Sequence, residues 1–408
     1  MEILKRILLG IIALVLLLVA AVYIYLLSTK PTYSGELSLS GLLEPVEVLY
    51  DDFGVPHIYA KNEEDAYYAL GFVHAQDRLF QMEMIRRAAA GRLSEVLGPD
   101  LLKVDKLFRT LGINKFAKEH AEKYLSADTA GFQKAAHAYQ KGINQYVNTG
   151  DTPIEFSIMG IPKSEFTSQD IYLAVGFMSF GFAEGIRADP VLEKIRRELG
   201  AEYLKDLAIQ TPPDAEIIKN FSGAVKTLGT DSLIAFFSEA LEKIPVPLWQ
   251  GSNGWVIAGD RTTSGLPILA NDTHIGFAQP AVWYEAHLEY PGFRFYGHHI
   301  AGIPFGLLGQ NDFCAWGLTM FENDDTDFFT EEFNDDGKVK YKGEWVDSKT
   351  RTEVINVKGK PDENLILKST PHGTLVNGLL DFTDGIKPIS LWWILNHDPT
   401  NHYRPLMA

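Results

Sequence analysis

The sequence predicts an α+β protein whose helices come first and whose strands follow. Three observations carry that reading. Apolar residues recur at helical spacing across much of 63–199. After Ser252, short runs rich in Val, Ile, Trp, Tyr and Phe alternate with Gly, Asn and Asp, the texture of a sheet. The composition changes abruptly at that serine, and neither side holds an internal repeat or a low-complexity segment. With 46% of its 408 residues hydrophobic, the chain can bury large cores, and its length suits about two or three domain-sized units.

The first element is an uncharged apolar run over 7–27, with Lys5 and Arg6 before it. At 1.5 Å of rise per residue, about 20 residues cross the hydrocarbon core of a bilayer. The flanking positive charges keep that end cytoplasmic. A signal peptide competes, with "VAA" at 19–21 as a cleavage site, but its apolar stretch is usually shorter, about 7–15 residues. The length favours an uncleaved anchor, and in either case the remainder is exported to the periplasm or cell exterior.

A polar tether occupies 28–41. "EPVEVLYDDFGVPHIYA" then reads as two short strands around the turn Asp51-Asp52-Phe53-Gly54. In "AQDRLFQMEMIRRAAAGRLSEVLG" the residues Leu79, Phe80, Met82, Ile85, Ala89, Leu93 and Val96 recur near helical spacing, and Gly98 can cap the end. Further helix is expected over 105–148 and 168–199, with weaker periodicity over 207–247. Strands are expected in "GWVIAG", "PILAND", "VWYEAHLEY", "FRFYGHHI" and "FCAWGLT".

A formal net charge of −16 argues against a nucleic-acid partner, which needs clustered Lys and Arg. The single cysteine, Cys314, excludes an intrachain disulfide and a Cys-based zinc site within this sequence. There is no HExxH, no Walker loop and no GxSxG. His298 and His299 are adjacent on an expected strand and so point to opposite faces, which suits a structural or solvated pair better than a metal pair.

Two features could carry chemistry. "FENDDTDFF" places Glu322, Asp324, Asp325 and Asp327 in one short polar loop. A hard cation such as Ca²⁺ takes about 6–8 oxygen ligands, which such a loop can supply, although the spacing is not that of an EF-hand. A solvated acidic loop is the alternative. The second feature is Ser252, placed just before the strand-like run 255–258. A serine hydroxyl needs a base within hydrogen-bond reach. Cleavage of the Gly251–Ser252 bond would free an α-amine of pKa about 8, able to act as that base. Most Gly-Ser pairs are simply turns, and the residues alone leave both readings open.

Two long blocks, in order, resemble the penicillin acylase (penicillin amidase) family of N-terminal-nucleophile hydrolases, which includes acyl-homoserine-lactone and cephalosporin acylases. The first is "GVPHIYAKNEEDAYYALGFVHAQDRLFQMEMIRRAAAGRLSEVLG". The second is "GSNGWVIAGDRTTSGLPILANDTHIGFAQPAVWYEAHLEY", continued by "GLLGQNDFCAWGLTMFENDDTD". The resemblance implies an N-terminal-nucleophile αββα sandwich, two antiparallel sheets between helical layers, with the helical N-terminal part wrapped around it. It also implies a layout of anchor or signal at 1–28, smaller-subunit region at 29–225, spacer at 226–251 and the start of a larger subunit at 252–408.

By the same resemblance Ser252 is the nucleophile, exposed when the precursor cleaves itself after Gly251, and its amine takes the proton through a water. His274 orients the serine and its amine; a satisfied buried histidine is the plainer alternative. The backbone N–H of Met320 forms half of the oxyanion hole, and Asn253 gives local support. Asp324, Thr326 (through its carbonyl) and Asp327 match calcium ligands, joined by a carboxylate from the helical half, Glu184 first and Asp189 second. That calcium would be structural, one per heterodimer of cleavage products, and no redox or organic cofactor is implied. Ile275, Leu307, Leu308 and Leu318 fall near the acyl pocket, where aliphatic lining suits an alkyl chain. The implied substrate is a small N-acyl amide. The family's side-chain oxyanion donor, an Asn, its supporting Arg and further calcium ligands are expected beyond Ala408, so the C-terminal portion reads as truncated and the chain alone as inactive. A membrane-tethered, non-enzymatic binding protein that keeps the scaffold is the reading from another class.

Overall fold

The computed structural model describes residues 2–127, 129–200, 202–207, 230–247, 249–320, 325–380 and 387–397. Helix α1 (Glu2–Ser28) is apolar on every side and has no buried face, and 2–27 is long and apolar enough to cross a membrane. Next come β1 (Glu47–Tyr50), β2 (Pro56–Tyr59), α2 (Glu63–Ala90), α3 (Ser94–Leu97), α4 (Leu102–Leu111) and α5 (Ile113–Tyr124). Helices α6 (Gly131–Thr149), α7 (Ile154–Met159), α8 (Ser168–Phe182), α9 (Gly185–Leu199), α10 (Glu202–Asp206) and α11 (Thr230–Glu242) follow.

Strands then dominate: β3 (Trp249–Ile257), β4 (Ile268–Ile275), β5 (Trp283–Tyr290), β6 (Phe293–Ile300), β7 (Leu308–Asn311) and β8 (Ala315–Trp316). The remainder are β9 (Thr326–Thr330), β10 (Val339–Tyr341), β11 (Glu344–Val346), β12 (Lys349–Ile355), β13 (Glu363–Ser369), β14 (Thr374–Leu375) and β15 (Ile389–Trp393). The helix expected over 105–148 is broken at Gly112, whose φ of +76° ends α4 as a left-handed cap that other residues adopt with strain.

Two compact units form, and each takes segments from both sides of Gly251–Ser252. One comprises 1–83, 127–168 and 283–315; the other comprises 84–126, 169–282 and 316–408.

The first unit is built on a sheet of order β1-β2-β5-β6-β7-β8. The β1–β2 hairpin turns at Asp51, whose Oδ1 accepts the N–H groups of Phe53 and Val55 at 2.9 Å each. The β5–β6 and β6–β7 pairings are antiparallel, but β2 joins β5 in parallel, His57 opposite His287. Antiparallel sheets were the expectation. A direct hairpin forces antiparallel pairing, and no hairpin links these two distant strands. Helices α2 and α6 cross in near contact. A Cβ at Gly71 would lie 2.0 Å from the Tyr139 carbonyl oxygen, and one at Gly142 2.0 Å from that of Tyr68. Beneath the sheet, His74 stacks on Tyr284 with ring centroids 4.1 Å apart, and its Nδ1 meets the Tyr139 hydroxyl at 2.9 Å. His299 is buried beside it, while His298 faces Glu285 on the other side of β6. Burial drives the His74 pKa well below the usual imidazole value and that of His299 down to about 3.

The second unit holds an antiparallel sheet of order β12-β13-β14-β15-β9. Ile355, Val357, Leu365 and Leu367 form an apolar cluster there, against which Leu102 packs. Helix α4 lies along this sheet with Val104, Leu107, Phe108 and Leu111 buried. Its rim carries Lys106–Glu363 and Arg109–Glu353 ion pairs at 2.8 and 3.0 Å. Helix α9 packs on β9, and α11 packs on α9 with Leu233, Phe236, Phe237 and Ala240 buried. Helix α11 falls inside the stretch expected as spacer; residues 226–229 and 248 of that stretch lie outside the described residues. Strands β3 and β4 form a separate two-stranded ribbon.

Candidate active site

The ribbon supplies the site. Strands β3 and β4 run antiparallel, with Gly251 opposite His274, Ser252 opposite Thr273, Asn253 opposite Asp272 and Gly254 opposite Asn271. Side chains alternate along a strand, so Asp272 and His274 share one face and Ser252 belongs to the other. On the first face His274 Nε2 lies 3.2 Å from Asp272 Oδ2 and 3.2 Å from Asn253 Nδ2. The His274 and Asp272 side chains are 46% and 74% exposed, so water screens that pair and it adds little stability. No hydrogen bond joins His274 to the Ser252 hydroxyl among the described contacts. The ring instead stands against the residue before the serine: a Cβ at Gly251 would be 3.3 Å from His274 Nδ1.

On the other face, the backbone N–H of Met320 donates to Ser252 Oγ at 2.9 Å. A backbone donor is thus aimed at the half-buried hydroxyl. The segment 317–320 that brings it there is held by a residue that the sequence reading passed over. The Asn271 amide donates to the carbonyls of Asn253 and Leu318 at 2.9 Å each, and its Oδ1 accepts the Leu318 N–H at 2.9 Å. Nothing local marks Asn271 out, because in the expected strand "PILAND" it stands next to an Asp at the strand's end, where Asn is commonplace. Only its partner 47 residues away gives it meaning.

The residues expected around the acyl group divide between the two units. Ile275 ends β4 and Leu318 lies in the 317–320 segment, both in the second unit; Leu307 is buried in the first unit and Leu308 begins β7 there. A cavity of about 320 Å³ in the second unit is lined by Asp189, Arg196, Leu233, Asp327 and Phe328, among others. Ser252, His274 and Met320 take no part in it.

The expected calcium ligands gather where α9 meets β9. Thr326 is fully buried, and its Oγ1 has no hydrogen-bond partner among the described residues. Gly185 leaves room beside it. A Cβ there would lie 2.2 Å from Thr326 Oγ1, 3.1 Å from the Thr326 carbonyl oxygen and 3.5 Å from Asp189 Oδ2. A peptide carbonyl and a carboxylate oxygen therefore converge on one small space, a donor set that suits a hard cation. Glu184 is ion-paired with Arg187 instead. Asp327 follows in β9, and Asp324 lies outside the described residues. Among the described residues no group of three or more His, Cys, Asp or Glu converges as a metal site.

A strand-borne hydroxyl, a backbone donor at that hydroxyl and an imidazole beside the preceding residue are parts that acyl-transfer hydrolases use. The chain belongs to the penicillin amidase family, which it matches over residues 45–408. It is 30% identical over 361 residues to acyl-homoserine lactone acylase QuiP of Pseudomonas aeruginosa, covering 86% of this chain and 42% of that protein. It is 33% identical over 363 residues to penicillin acylase 2 proenzyme of a Pseudomonas species, covering 85% and 46%. Among solved structures, a thermostable penicillin G acylase from Alcaligenes faecalis matches 43% of this chain and 97% of its own, at 26% identity and a TM-score of 0.35. The chain spans less than half the length of these two curated relatives.

Proposed function

We propose that this chain carries the nucleophile of an N-acyl amide hydrolase, activated by self-cleavage at Gly251–Ser252. The observation that supports this most directly is the Met320 N–H on Ser252 Oγ at 2.9 Å. In self-cleavage the hydroxyl adds to the Gly251 carbonyl and the peptide nitrogen leaves, which converts the amide to an ester. Water then hydrolyses that ester, which releases the Gly251 carboxylate and restores the Ser252 hydroxyl beside the α-amine freed in the first step. The freed amine has a pKa of about 8 and accepts the hydroxyl proton through a water.

In turnover Ser252 Oγ attacks the substrate carbonyl, and the Met320 N–H stabilises the oxyanion, a contribution of about 10²–10³ in rate per donor. Collapse expels the amine, which takes up a proton, and leaves an acyl-enzyme that water hydrolyses. His274, placed against Gly251, orients the new N-terminus together with Asn253. Ile275 and Leu318, in the same unit as Ser252, favour an aliphatic acyl group. Faster turnover of phenylacetyl than of long-alkanoyl amides would remove that preference.

By the family resemblance, a structural calcium would be held by the Thr326 carbonyl, Asp327 and Asp324, with a carboxylate from α9 or its start, Asp189 or Glu184. The approach of the Thr326 carbonyl and Asp189 Oδ2 beside Gly185 is what favours it. When bound, the ion supplies a positive charge that fastens α9 to β9. These elements lie on either side of the cleaved bond, so the two cleavage products stay paired as a heterodimer. Calcium titration should show binding in the wild type that Asp327→Ala loses. Helix α1 serves as a membrane anchor, with the rest of the chain on the outer side.

Intact mass and N-terminal sequencing of the expressed protein test the central claim. A polypeptide beginning Ser-Asn-Gly-Trp supports it. A folded, uncut chain removes the free amine and leaves a scaffold used for binding.

A further inference from the structure

Ser252 and Met320 lie on separate stretches of chain, and one amide spans the gap between their carriers. Asn271 bonds both the N–H and the C=O of Leu318, as a paired strand residue would. Its third bond goes to the Asn253 carbonyl, one residue after the nucleophile. From Leu318 the chain needs two residues to reach the Met320 N–H. Gly317 seats the amide: a Cβ there would come within 2.6 Å of Asn271 Oδ1. Thr319 adds a contact with β3, its Cγ2 being 3.2 Å from where a Cβ on Gly254 would stand.

We propose that Asn271 is the positioning residue of this site, fixing where the Met320 N–H stands relative to Ser252 Oγ. It acts through Leu318 and not on the substrate. The proposal rests on the acylase reading above and deepens it. Its physical basis is that a preorganised donor is effective only where the oxyanion forms, and a misplacement of about 1 Å can cost roughly 10²-fold in rate.

The test compares the complete expressed wild-type protein with Asn271→Ala and Gly317→Ala. The second variant keeps the amide but pushes it off its seat. The readouts are kcat and KM for an N-alkanoyl anilide per titrated active serine, and the affinities for n-octylboronic acid and for the product carboxylic acid. The boronic acid forms a tetrahedral adduct that needs the donor, whereas the product acid does not. Asn271→Ala should lower kcat about 10²-fold and weaken the boronic acid about as much, with KM and product affinity within about threefold. A variant within about twofold of wild type in kcat overturns the proposal. So does equal weakening of both ligands, which marks a merely structural role. Should Asn271→Ala not fold, Gly317→Ala decides by the same readouts. A wild type that exposes no N-terminal serine and cleaves no amide overturns the acylase reading itself, and this proposal with it.

Discussion

Met320 contributes its backbone and not its side chain. The donor at Ser252 is a peptide N–H, so Met320→Leu should keep self-cleavage and turnover near wild type. Met320→Pro removes the N–H and should cost about 10²–10³ in kcat. N-terminal sequencing and steady-state kinetics on the same preparations would show this. At this scale Ser252 and Met320 are marked as candidates because each sits inside a long stretch that resembles the family, and the structure brings the two together. Asn271 is not so marked, since its role lies in three hydrogen bonds to residues elsewhere in the chain. His274 is half legible: its place opposite Gly251 follows from strand register, but its partners Asn253 and Asp272 depend on which face the ribbon gives it.

At the scale of elements, α2 and α6 cross with their backbones in near contact. Gly71 and Gly142 each meet the other helix's backbone, which cannot give way as a flexible side chain can. Gly142→Ala should therefore destabilise by about 1–3 kcal/mol or more, read as a lower denaturant midpoint. An alanine at an open helical glycine would normally do the opposite, because Gly is the poorer helix former. Helix α11 shows the limit of pattern reading. Its buried residues Leu233, Phe236, Phe237 and Ala240 recur at i, i+3, i+4 and i+7, but the pattern lasts only one short helix. Spread over a longer stretch it looks weak, and packing against α9 gives it substance.

At the scale of the whole molecule, acid should unfold the first unit through its buried histidines. His74 and His299 stay neutral in the fold, held below the ordinary value of 6.5, His299 at about 3. The unfolded chain takes up those protons below pH 6.5 and the folded one does not. Their contribution is complete above pH 6.5 and is lost as pH falls below it, in the case of His299 down to its folded value of about 3, by up to about 1.4 kcal/mol per pH unit for that group. Replacing His299 by Leu should flatten the stability curve between pH 6 and about 4, as measured by denaturant unfolding at a series of pH values. An unchanged slope would mean that other groups set the acid limit.

The sequence by itself determined what local pattern and composition can carry: an apolar first helix, helices before Ser252, strands after it, and a nucleophile candidate at the change. Those features depend on residues close together in the chain, where periodicity and turn chemistry act. Only the tertiary structure decided the rest. It joined β2 to β5 in parallel, although the two strands lie far apart on either side of Ser252. It built each compact unit from segments on both sides of that serine. It also set Asn271 between Ser252 and Met320. Each of these is a pairing of distant residues, fixed by register and packing, and no local preference in a chain encodes which distant partner a backbone group will meet.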